Sequence, residues 1–204
     1  MPKVTSQTLE ARKDQILSAA AVCFSRSGFH RTTMRDILRE AQLSAGAVYN
    51  YFPSKEAILQ QMAERDLQAA ILLIDQLSPS APDAVIRLVD FMFGDLDRII
   101  TTGGATITVT VLAEVATNAE LHQHIMPFRR QLKRQIIQFV QACCSAQKLS
   151  VTEGKISLMV DALFQLFNGA ICSAALGENV DSNQIAQLSR QLVAITLGLK
   201  TKSI

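Results

Sequence analysis

The sequence predicts an all-α protein: an N-terminal three-helix helix-turn-helix domain over residues 1–54, then a helical domain over 55–204, with about nine helices in all. Three observations carry this. Apolar residues recur at three- and four-residue steps along nearly the whole chain, the period of a helix with one buried face. Capping residues and the breakers Gly28, Pro53, Pro79, Pro82, Gly103 and Asn118 cut that pattern into helix-sized lengths. The one β-branched run, ITVTV at 107–111, has no second strand to pair with, so it too reads as helix.

Ile16, Ala20, Cys23 and Phe24 mark one face of a first helix over about residues 10–27, with Gly28 in the position after its end. Thr33 followed by Asp36 is a capping-box start for a short second helix, whose inner face is Met34, Ile37, Leu38 and Ala41. Gln42-Leu43 makes a tight connection, and Ser44 caps a third helix that stops at Pro53. Ser54 caps a fourth, through Ile58, Met62, Leu67, Ala70, Ile74 and Leu77. After the SPSAPD break at 78–83, helices are expected at about 83–101, 105–116, 119–148, 152–176 and 182–199, with Pro127 kinking the long one.

The third helix is unusual. Val48 and Phe52 share an inner side with Leu43 just before them, whereas the outer side holds Gly46 and Asn50 flanked by Ala47 and Tyr49. An outer face so bare of bulk and charge fits the edges and grooves of another molecule. Two short helices joined by a tight turn form a helix-turn-helix.

The last two helices carry seams. Ile156, Val160, Leu163, Phe167, Ala170 and Ala174 step 4, 3, 4, 3, 4, and Ile185, Leu188, Leu192, Ile195 and Leu199 step 3, 4, 3, 4. Both helices are also apolar beyond these positions, at Leu158, Met159 and Phe164 and at Val193, Ala194 and Leu197. A four-helix interface between two copies would cover those flanks; the alternative is a hairpin within one chain.

Formal net charge is only +2, which excludes a strongly basic coat, but residues 1–65 carry +3 and residues 66–204 carry −1. Cys23, Cys143, Cys144 and Cys172 lie in apolar surroundings without metal-ligand spacing, and adjacent helical cysteines cannot form an unstrained disulfide. They read as reduced, mostly buried thiols of a cytoplasmic protein, with a redox sensor at Cys143 or Cys144 left open. No apolar leader is present, and the charge-free windows at 99–113 and 162–177 are too short for a membrane span, so a soluble protein is expected.

The run TTMRDILREAQLSAGAVYNYFPSKEAIL, from Thr32 to Leu59, resembles the DNA-binding signature of the TetR/AcrR family of bacterial transcriptional regulators. The likeness covers residues 16–59; the rest of the chain is similar only in length and helical plan. The resemblance implies double-stranded DNA as partner through the major groove, a homodimer made by the last two helices, an effector pocket in the C-terminal domain and no cofactor. It places Thr33, Ser44, Ala45, Gly46, Ala47, Tyr49, Asn50, Tyr51 and Lys55 at the DNA. Small residues let a helix approach the groove floor, Ala45 or Ala47 can pack on a thymine methyl, and Asn50 and Tyr49 can meet base edges or phosphates. Tyr51 and Lys55 are implied phosphate ligands, with Arg31 and Arg35 as further nearby charges.

In the second half, Phe91, Phe128, Phe164 and Phe167, with the polar Glu114, His122 and Asn168, are the candidates for lining an effector cavity. No nucleophile-elbow, Walker A, HExxH or GxGxxG stretch appears, and His122 and His124 point to different helix faces, which argues against an enzyme. The expected function is a dimeric repressor released from a near-palindromic operator by a small, mainly apolar ligand. A regulator without such an effector, controlled by a protein partner or acting as an activator, is the alternative; an all-helical enzyme stands last.

Overall fold

The structure, a computed structural model, describes residues 6–199. Among them are ten helices and no strand: α1 (Ser6–Ser27), α2 (Met34–Ala41), α3 (Ala45–Tyr49), α4 (Lys55–Asp75), α5 (Ala84–Gly94), α6 (Leu96–Thr101), α7 (Gly104–Thr117), α8 (Ala119–Ala146), α9 (Glu153–Ala175) and α10 (Ser182–Leu197). The expected helix at 83–101 is broken at the single residue Asp95. Gly94 weakens the helix there, and the Asp95 carboxylate, which makes no capping bond to the backbone, accepts from Arg98 Nε at 2.7 Å. ITVTV is helical within α7, and α8 runs through Pro127 without ending.

The local signals work as their chemistry requires. Gly28 closes α1 at φ +77°, a backbone conformation that L side chains rarely adopt. Gly104 opens α7 where a Cβ would stand 3.1 Å from the Ile99 carbonyl oxygen. Thr152 and Asp181 cap α9 and α10 by accepting from Lys155 N and Gln184 N.

Contacts divide the chain into two units: one comprises the chain up to Arg65 with Thr106–Ile125, the other Asp66–Ala105 with the chain from Met126 on. The first is built on Ile16, Ala20, Phe24, Ile37, Val48, Ile58 and Leu59, each at most 1% exposed. Burying such a side chain stabilises by about 1.5–3 kcal/mol. The second unit buries Leu88, Val89 and Phe93 of α5, Ile156, Val160 and Leu163 of α9, and Val193, Ala194 and Leu197 of α10. Phe93 meets Phe167 edge-on at 5.9 Å between centroids, and Arg190 Nε donates to Asp90 Oδ1 at 2.6 Å, tying α10 to α5.

Three expectations change here. On α9, the seam residues Ile156, Val160, Leu163 and Ala170 are buried within their own unit, at no more than 4% exposure, whereas Phe167 and Ala174 are half-buried. The open residues of α9 lie off that stripe, with Leu158 and Leu176 72% and 79% exposed, whereas on α10 the seam residues Leu188 and Ile195 are themselves open, at 51% and 82%. The cysteines are also not alike, since Cys172 is exposed whereas Cys23, Cys143 and Cys144 are buried. Burial, with Cys144 alongside, pushes the Cys143 thiol up to about 11, which keeps it protonated and unreactive at neutral pH. Finally, α9 is by length and composition apolar enough to cross a membrane, with a mean hydropathy of 1.4 over its best window. Its apolar residues have an account inside the chain: one face packs against its own unit, and Asp161 in mid-helix is ion-paired to Lys133 of α8.

Candidate nucleic-acid interface

The helix-turn-helix is held by caps that the sequence makes legible. Thr33 Oγ1 accepts from Asp36 N at 3.3 Å, while Thr33 N donates to Asp36 Oδ2 at 2.9 Å, a complete capping box at the start of α2. The Thr33 hydroxyl also donates to Asp36 Oδ2 at 2.7 Å. These bonds, the hydroxyl's first among them, hold the Asp36 carboxyl below the usual aspartate range. At the other end of α2, Gln42 takes φ +54°, so that Gln42 N and Leu43 N reach back to Arg39 O and Leu38 O. Ser44 then caps α3 by accepting from Ala47 N at 3.3 Å.

These caps set the rotation of α3. Val48 and Phe52 are buried, at 0% and 4% exposure. Ser44, Ala45, Gly46, Tyr49 and Asn50 are exposed, and Ala47 and Tyr51 are half-buried. A Cβ added at Gly46 would meet nothing within 4 Å. The chain's own packing therefore does not require glycine there; the room it leaves opens outward.

Beside α3 lies an open concavity of about 570 Å³. Ser44, Ala47, Asn50 and Tyr51 form one wall, Gln42 and Leu43 the floor turn, and Leu9 and Arg12 of α1 the far side. Arg12 and Gln42 were not among the candidates. In the sequence Arg12 reads as an ordinary helix-face charge, and only tertiary packing brings it to the concavity beside α3. Gln15 ties α1 to the end of α2, its Nε2 donating to Ala41 O at 2.8 Å, and its Oε1 accepts from Arg12 Nη1 at 2.9 Å. A second concavity between α1 and α2 holds Arg26, Arg39, Asp36 and Glu40, whose charges pair with one another.

Lys55, which the resemblance implies as a phosphate ligand, has its ammonium engaged within the chain. Its ammonium donates to the carbonyl oxygens of Phe29 at 2.8 Å and of His30 and Thr32 at 3.2 Å, and stands 4.5 Å from the centre of the Phe29 ring. All three donors of the group are thereby engaged. The charge fastens the start of α4 to the α1–α2 turn, so a phosphate would have to compete with three carbonyls. The same turn is held from the other side, where His30 Nε2 lies 3.1 Å from Glu114 Oε1 of α7. Of the freer cations, Arg31 bonds Ser27 O at 2.9 Å, and Arg35 is exposed.

The effector candidates fall in both units. Glu114, with its side chain 14% exposed, is paired with His30 in the first unit. His122, in the same unit, is exposed. Phe91, Phe128, Phe164, Phe167 and Asn168 are half-buried in the second unit. Among the described residues no group of three His, Cys, Asp or Glu side chains is close enough to hold a metal ion.

Residues 16–62 match the profile of the bacterial regulatory proteins of the tetR family. The chain is 39% identical over 75 residues to the uncharacterized HTH-type transcriptional regulator YfiR of Bacillus subtilis (strain 168), a match spanning 37% of each chain. The chain thus spans little more than a third of that relative. Among solved structures, it resembles Salmonella enterica GusR with a TM-score of 0.71 at 20% identity, over 97% of this chain and 100% of that one. It also resembles the Bacillus subtilis transcriptional regulator FadR, solved with stearoyl-CoA, with a TM-score of 0.66 at 17% identity, over 92% and 98% of the two chains. At such identities these structures establish the fold alone. The profile falls on the capped α2–turn–α3 segment, so residues 16–62 are similar to the helix-turn-helix part of the bacterial regulatory proteins of the tetR family.

Proposed function

We propose that the protein is a dimeric cytoplasmic repressor that leaves a near-palindromic operator when a small, mainly apolar ligand binds its C-terminal part. The observation that carries this is the outer face of α3, where Gly46 opens onto empty space and Tyr49 and Asn50 are exposed beside it. Residues 1–54 read DNA. Ser44, Ala45, Gly46, Ala47, Tyr49 and Asn50 face the major groove, and Tyr51, Thr33 and Arg12 stand at phosphates. Residues 55–204 join two copies and hold the effector. The surface that joins them is the open one, Leu158, Leu176, Leu188 and Ile195, and not the buried stripe of α9.

Two copies place two recognition helices on one face of the duplex, where they fit successive major grooves only at a spacing of about 34–36 Å. A ligand preferring another arrangement by a few kcal/mol shifts that spacing and empties the operator. The bound stearoyl-CoA of FadR supports an amphiphile as the kind of molecule this fold accommodates.

The test is a fluorescence-anisotropy titration against duplex DNA from upstream of the protein's own gene, beside a scrambled duplex, at physiological salt. Preference by a factor of ~10³ or more is expected, reduced in Tyr49→Ala and Asn50→Ala while the far-UV helical signal stays. Full preference in both variants would sink the assignment of α3.

A further inference from the structure

Among the described residues, Arg129 has no partner. On α8, at 100° per residue, it stands about 60° to one side of Leu132, on the arc that also holds Ile125, Ile136 and Val140, all buried. Among the described residues the other half-buried cations are satisfied. Lys13 pairs with Glu10, Lys55 with three carbonyls, Lys133 with Asp161 and Arg190 with Asp90. Arg129 has neither a hydrogen bond nor an ion pair among the described residues, and it too is half-buried. Burial alone, with no compensating carboxylate, lowers its pKa from the ordinary guanidinium value. An exposed cation without a partner is simply solvated. A half-buried one has given up part of its hydration for nothing in return, unless an anion arrives.

A second polar group on the same helix is in the same condition. Gln135 Oε1 is buried and without a hydrogen-bond partner. It stands about 60° to the other side of Leu132 and about 9 Å further along the axis. Between the two lie the half-buried Phe128 and the buried Leu132 and Phe139. One side of α8 thus carries an apolar strip with an uncommitted guanidinium on one flank and an uncommitted amide oxygen on the other. The next half-buried cation along, Lys133, already holds Asp161 of α9, so a carboxylate is supplied there and none to Arg129 among the described residues.

We propose that Arg129 is the head-group receptor of the effector site, and that the ligand is an acidic amphiphile. Its carboxylate or comparable anion is taken by the planar fork of the guanidinium, which suits bidentate recognition. Its apolar body lies along the Phe128 side of α8, and Gln135 accepts from a hydroxyl or amide donor where the ligand carries one. This deepens the ligand-responsive reading above and rests on it.

Isothermal titration calorimetry of the full chain with decanoate, 1-decanol and decyltrimethylammonium, each below its micelle concentration, tests the assignment because the three share a tail and differ in head charge. Wild-type protein should bind decanoate roughly ten-fold or more tightly than either of the others. Arg129→Gln should lose that preference while keeping its affinity for 1-decanol, and Arg129→Lys should retain part of it. Far-UV circular dichroism and the urea midpoint establish that both variants fold. Equal affinity of wild type for decanoate and 1-decanol, undiminished decanoate binding by Arg129→Gln, or no binding of any of the three would overturn the proposal. Operator anisotropy read in parallel separates the two inferences. Charge-selective binding without operator release keeps the site and refutes ligand-driven repression, whereas operator release by a neutral ligand does the reverse.

Discussion

Replacing Lys55 by methionine keeps most of the side chain's apolar length and removes its charge. Three charge-assisted bonds are lost, to Phe29 O at 2.8 Å and to His30 O and Thr32 O at 3.2 Å, together with the contact to the Phe29 ring at 4.5 Å. A hydrogen-bonded charged group contributes about 1.5–3 kcal/mol net, and the cation–π contact adds about 0.5–1 at a partly exposed site. Lys55 is half-buried, so water recovers some of this at the freed carbonyls. The expected loss is about 2 kcal/mol, which at a urea dependence of about 2 kcal/mol per molar lowers the unfolding midpoint by roughly 1 M. Urea titration followed by far-UV circular dichroism reads the midpoint, and operator affinity measured across salt concentrations reads the phosphate contacts. A phosphate ligand would behave in the opposite way, leaving the midpoint alone and making the salt slope shallower by about 0.9. An unchanged midpoint with a shallower slope would therefore refute the fastening role.

The open face and the buried face of α10 should respond differently to a charge. Ile195→Glu, at a position 82% exposed, should give folded monomers by sedimentation equilibrium, whereas Val193→Glu, at 0%, should unfold the protein. A full-strength dimer of Ile195→Glu would refute the proposed interface. The capping box makes a prediction about pH. Asp36 has its folded pKa depressed, so its contribution is present above the ordinary aspartate range, around 4, and is lost as pH falls through the lower folded value. The midpoint difference between wild type and Asp36→Asn should therefore hold steady from pH 7 to about 5 and shrink toward pH 3; a pH-independent difference would show that the carboxylate's charge does not matter.

Much of the fold is legible in the chain because its signals are local. Thr33 with Asp36, Ser44, Ser54 and Gly28 each act within about one turn of helix, and each does in the structure what its chemistry requires. The bare face of α3 is legible for the same reason: once Val48 and Phe52 are buried, the helical period alone decides that Gly46 and Asn50 point away. The family resemblance rests on this same stretch, and the matching profile covers it.

The sequence by itself thus determined an all-helical chain with a capped reading head whose outer face is bare, since caps, breakers and the 3.6-residue period depend only on near neighbours. Tertiary structure alone decided which long side chains have partners and which faces remain open. Lys55 meets carbonyls 23 to 26 positions away, Arg12 comes beside α3, and Arg129 is left without a carboxylate. The partner of the α9 stripe is a further such case. Its apolar period marks a face that must be covered, but whether α6 and α10 of the same chain cover it or a second copy does depends on packing between distant segments. Such partnerships leave no trace in local spacing, because the energy that selects them is shared among residues far apart in the chain.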